Sequence, residues 1–130
     1  MAATTTVRTA ARRILVVASE TVDTQMLADV LRFRTRTQRD VDLLVIAPAL
    51  HLTRSLDQLR EAGFDAEGLV ADADPIRAID DALTVFPADE IVLANDARGH
   101  SNQLARDLVH RARLRYAQPI LHVVVASAPP

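Results

Sequence analysis

The chain reads as a doubly wound α/β domain, in which a five-stranded parallel sheet carries helices on both faces. Three observations predict this. Five short apolar runs recur along the sequence, and continuous runs of that length suit strands covered on both sides. The intervals between them carry apolar residues three and four apart, which is helical spacing. The 130 residues suit one core, and with 49% hydrophobic but only 3% aromatic residues that core must be aliphatic.

The first run is residues 14–18 (ILVVA), preceded by Arg12 and Arg13. Val22, Met26, Leu27, Val30, Leu31 and Phe33 follow at helical spacing, and residues 34–40 are polar and read as a loop. Residues 41–46 form the second strand, which stops at Ala47-Pro48. Leu52, Leu56 and Leu59 mark a second helix, ended by Ala62-Gly63 with the glycine as a left-handed cap. A weaker strand spans residues 66–71. Asp74-Pro75 reads as an N-cap followed by proline at the first helical position, and Ile76, Ile79, Leu83 and Phe86 form the apolar stripe behind it. Residues 90–94 are the fourth strand and residues 95–100 a loop. Ser101 is placed as the cap of a fourth helix with Leu104, Leu108 and Ala112 on one side. Pro119 breaks that helix, and residues 120–125 are the fifth strand. The expected organisation is a tail over 1–11, a domain over 12–125 and a second tail over 126–130.

Composition excludes several chemistries. All 15 basic residues are arginine, so neither a Schiff-base lysine nor a P-loop lysine exists. No cysteine is present, which removes disulfides, thiolate catalysis and Cys-based zinc sites. His51, His100, His110 and His122 include no pair at a helical ligand spacing, and no metal is expected. No apolar run reaches the ~18 residues of a spanning helix, and the Thr/Ala-rich start lacks a signal core. The cytoplasm is the expected location, with no membrane partner. A net charge of −2 and sparse aromatics argue against nucleic acid as a partner. Arg106, Arg111, Arg113 and Arg115 make a basic stretch that is ordinarily a solvated helix face.

Five segments in order resemble the universal stress protein family. They are Arg13-Ile14-Leu15-Val16-Val17, then residues 41–48 (VDLLVIAP), Ala71-Asp72-Ala73-Asp74-Pro75, Ala88-Asp89-Glu90-Ile91-Val92-Leu93, and residues 118–125 (QPILHVVV). The resemblance covers about residues 12–125, and the wording of the later segments is similar to an actinobacterial branch of that family. It implies a sheet in the order 3-2-1-4-5 and a stress-response role. It also implies a homodimer through the last strand, with Ile120, Leu121, His122, Val123, Val124 and Val125 at the dimer edge. ATP-binding members carry Gly, two residues, Gly, nine residues, then Gly and Ser or Thr, a pattern that lets backbone N–H groups approach phosphate. Placed without gaps, those positions fall on Ala94, Ala97, Asp107 and Leu108. The resemblance is therefore to a version with a degenerate ATP site. No cofactor is expected, ATP and AMP being disfavoured.

Ligands of doubly wound sheets sit outside the carboxyl ends of the strands. Ser19, Glu20, Asp72, Asp74, Asn95, Arg98, Gly99, His100 and Ser101 fall there, and they form the candidate ligand site. Arg98 would pair with an anion, Gly99 would leave backbone N–H groups accessible, and His100 and Ser101 would add hydrogen bonds. The acidic residues read equally as turn and cap residues, and the serine as an ordinary helix cap. No nucleophile elbow or base partner accompanies Ser19 or Ser101, so catalysis is not expected. The leading expectation is a non-catalytic regulatory module acting through homodimer and partner-protein contacts. The alternative is a crevice that binds a nucleotide or another anion.

Overall fold

The computed structural model describes residues 12–18, 24–35, 40–71, 74–96 and 99–125. The elements alternate as β1 (Arg12–Ala18), α1 (Thr24–Thr35), β2 (Val41–Ala47), α2 (Ala49–Glu61), β3 (Asp65–Val70), α3 (Pro75–Val85), β4 (Glu90–Asp96), α4 (Gly99–Arg115) and β5 (Ile120–Val125). All ladders are parallel and the strand order is β3-β2-β1-β4-β5, as expected. β1 and β4 are neighbours whose chains leave in opposite directions across the sheet, which makes their carboxyl ends the topological switch point.

Side-chain alternation divides the core into two layers. Ile14, Val16, Leu43, Val45, Val92 and Val123 face α1 and α2 through Leu27, Leu31 and Leu59. Leu15, Leu44, Ile46, Ile91 and Leu93 face α3 and α4 through Ile79, Ala82, Val109 and Ala112. Small residues let the helices approach closely. A Cβ on Gly68 would lie 2.7 Å from Leu52 Cδ1, so this glycine admits α2 onto β3. Gly63 takes φ +101° just past α2 and ends it as a left-handed cap.

Two helices differ from expectation. α4 begins at Gly99, so Ser101 lies within its first turn rather than capping it. Its inward face is Val109 and Ala112, while Leu104 is 57% exposed. Leu104 and Ala105 instead border the cavity. On α1 the apolar residues split into two stripes. Leu27 and Leu31 are buried with Thr24, Ala28 and Thr35, whereas Met26, Val30 and Phe33 are exposed at 41%, 36% and 70%. Thr24 meets Ser55 (3.2 Å) and Arg32 Nε donates to the Ala62 carbonyl (3.2 Å), which fixes the side facing α2. The exposed stripe therefore lies on the flank away from α2, towards β5.

At the sheet's amino end Glu90 is 2% exposed and accepts from Arg34 Nε at 2.7 Å and from Arg12 at 3.4 Å. Asp89 accepts from the Arg13 backbone N–H at 2.9 Å. These contacts tie the starts of β1 and β4 to the last turn of α1. On the opposite face Arg115 pairs with Asp80 through two hydrogen bonds (3.0 and 2.6 Å), and the Tyr116 hydroxyl donates to Asp80 at 2.7 Å. Burial and the Asp80 carboxylate push the Tyr116 phenol up to about 12. This clasp holds α4 against α3.

Candidate functional site

A cavity of about 830 Å³ opens at the switch point. Its floor is Val17 and Ala18 of β1 with Leu93, Ala94 and Asn95 of β4. Pro48, Ala71 and Pro75 form one side, and Leu104, Ala105 and Leu108 of α4 the other. Asp107, His110 and Arg111 stand along α4. The volume is in the range of small-molecule sites, about 300–1,000 Å³, and the surface is mainly aliphatic. Among the described residues no group of three or more His, Asp or Glu side chains is placed to hold a metal ion. Nor is any helix there long and apolar enough to cross a membrane.

The expected site residues fare differently. Ser19, Glu20, Asp72 and Arg98 lie outside the described residues. Gly99, His100 and Ser101 form the first turn of α4, and their side chains also lie outside the description. Asp74 is the N-cap of α3, where Oδ1 accepts from the Ile76 N–H at 3.0 Å. That is the capping role expected of Asp before proline. Asn95 is 3% exposed on the cavity floor, and its Oδ1 meets His122 Nε2 at 2.6 Å. Sequence reasoning did not link these two. The register that sets Leu93 beside His122 was the missing information.

Helix α4 also bears on the phosphate-loop positions. Asp107 and Leu108 fall about two turns inside a continuous helix, where backbone N–H groups bond to carbonyls four residues back. Both line the cavity. The wall facing a ligand there is a helix flank that presents Leu104, Asp107, Leu108, His110 and Arg111.

His122 connects the cavity floor to the outer strand. Burial pushes its imidazole below the ordinary range, and Arg113 and Arg106 push in the same direction. An unfolded histidine titrates near about 6.5. The neutral native form therefore contributes stability fully above that pH, and the contribution is lost as pH falls through the lower native value. Thermal melts between pH 7 and pH 5 should show a steeper decline for the wild-type chain than for His122→Gln. Equal slopes would remove His122 from the cause.

Together these features define a doubly wound α/β domain with an apolar crevice at its switch point. A universal stress protein from Archaeoglobus fulgidus has a similar structure, with a TM-score of 0.58 and 17% sequence identity over 86% of this chain and 98% of that chain. At that identity the likeness is one of fold, and the fold is the one expected from the sequence. No protein-family model matches the chain, and no curated protein matches it.

Proposed function

We propose that this chain is a non-catalytic regulatory module of universal-stress type that works as a homodimer and through partner-protein contacts, and does not bind ATP tightly. The crevice wall carries this reading. A triphosphate tail needs bare amide hydrogens and positive potential. Here Leu104 and Leu108 offer hydrocarbon, and the exposed Asp107 carboxylate offsets the positive charge of Arg111 on the same wall. Calorimetric titration with ATP and with AMP is expected to give no saturable heat up to high micromolar ligand. Clear saturation contradicts this part.

Support for the homodimer comes from β5, the last strand of the sheet. The Ile91 N–H donates to the Pro119 carbonyl at 2.9 Å, so alternate residues face β4. The backbone groups of Ile120, His122 and Val124 then point outward. Val124 is 45% exposed, and the apolar stripe of α1 lies on the same flank. Exposed backbone at a sheet edge can pair with another chain. Light scattering at tens of micromolar should report a dimer, and Val124→Lys should weaken it at least tenfold by placing a charge on the edge. A wild-type monomer at that concentration removes the idea.

The cavity supports a second reading, small-ligand binding. Its aliphatic floor suits a planar or apolar body, with any anionic end directed to the start of α4 near Arg98 and Ser101. Arg98→Ala should then abolish a ligand-induced thermal shift, and an unchanged shift rejects that assignment.

A further inference from the structure

The edge that would pair in a dimer is basic on one face. Arg106 and Arg113 lie two turns apart on the same flank of α4, beside His122 of β5, and both depress its imidazole. Arg113 Nη2 also donates to the outward Ile120 carbonyl at 3.2 Å. Arg106 has no ion-pair partner among the described residues. β4 presents neutral Asn95 and Leu93 to the same histidine.

Symmetry turns this patch into a site. Two copies that pair antiparallel along β5 are related by a two-fold axis normal to the sheet, so both keep α4 on the same face. The exposed stripes of Met26, Val30 and Phe33 then flank the axis on one face, where they can share apolar contact. On the other face Arg106 and Arg113 of the two copies converge. Pairing that sets His122 against Val124 of the partner subunit leaves the two histidines on diagonal positions, about 7–8 Å apart at the backbone. Like charges converging with no carboxylate paired to them among the described residues repel, and a guanidinium cluster is suited to a tetrahedral oxyanion.

We propose that the β5 edge is an anion-linked self-association face, with a divalent oxyanion of the phosphate or sulfate class seated on the two-fold axis between Arg106 and Arg113 of both copies. This rests on the β5 homodimer reading above and adds its ligand. The neutral His122 donates its single N–H, at Nε2, to Asn95 Oδ1, so the arginines alone hold the anion, and the Asn95–His122 contact runs from beside the axis to the floor of the cavity.

Sedimentation equilibrium of the full chain tests this in sodium chloride, sodium sulfate and sodium phosphate at pH 7.5 and matched ionic strength. Matching removes general screening as the cause. Sulfate and phosphate are expected to tighten the dimer at least tenfold over chloride. Arg106→Gln, on an exposed helix position, should erase that difference while keeping the circular dichroism spectrum, and Arg106→Lys should restore part of it. A dimer indifferent to the anion overturns the site and leaves the dimer standing. A monomer in every salt overturns the dimer reading beneath it. Chains longer than dimers that grow as salt falls overturn both, and would instead join the basic β5 edge to the acidic β3 edge at Asp65 and Glu67 of the next copy.

Discussion

Arg34→Met is expected to lower the free energy of unfolding by about 3 kcal/mol, because it leaves a carboxylate buried with a single, longer partner. Glu90 is 2% exposed, and its shorter contacts are with Arg34. Arg12 remains at 3.4 Å and cannot supply the same bidentate geometry. The expected loss is at the low end for a broken buried pair, since the Arg34 side chain is 43% exposed and water reaches it. Replacing both members with apolar residues removes the unpaired charge altogether. The double variant Arg34→Met/Glu90→Leu should therefore recover at least half of the loss in urea unfolding. A double variant less stable than Arg34→Met would show that Glu90 is held by contacts other than this pair.

The second large effect separates the two apolar stripes of α1. Leu31 is fully buried against the sheet, and Leu31→Ala should cost about 2–5 kcal/mol through lost transfer energy and the cavity left behind. Phe33 is 70% exposed, and Phe33→Ala should change stability by no more than about 0.5 kcal/mol. The same Phe33→Ala protein should nevertheless associate more weakly, because its ring belongs to the stripe beside β5. Denaturant melts and light scattering on both variants check the pair of outcomes. Equal destabilisation would mean that the exposed stripe is covered within a single chain.

Much of the fold was legible because strands buried on both faces leave a plain mark. Residues 14–18 are an unbroken apolar run and 41–46 are broken only by Asp42, and β1 and β2 extend them by one or two residues at the ends. Asp74-Pro75 and Ala62-Gly63 announced a helix start and a helix stop, and both hold. What escaped needed tertiary information. Leu31 and Phe33 are both apolar residues at helical spacing, and only the position of α2 decides which faces inward. Glu90 looked like the first residue of a strand. Its burial follows from the return of α1 over the amino end of β4, which brings Arg34 to it. Leu104 read as core, yet the inward face of α4 is set by Val109 and small Ala112.

The site was legible by location more than by residue. The switch point was expected to hold it, and the cavity lies there. The expected residues were polar ones on loops. The observed lining is mostly aliphatic and comes from strand ends and the flank of α4, residues that periodicity assigns to a core. Among the described residues, Asn95 is the one expected residue found on the cavity floor, and its partner His122 comes from a strand read only as an edge.

Native mass spectrometry of protein purified gently from its source cells would read assembly and cargo in one spectrum. The predicted result is a dimeric mass without an adenine nucleotide. A species heavier by one AMP or ATP per chain, persisting through desalting, would contradict the proposed module without tight ATP binding.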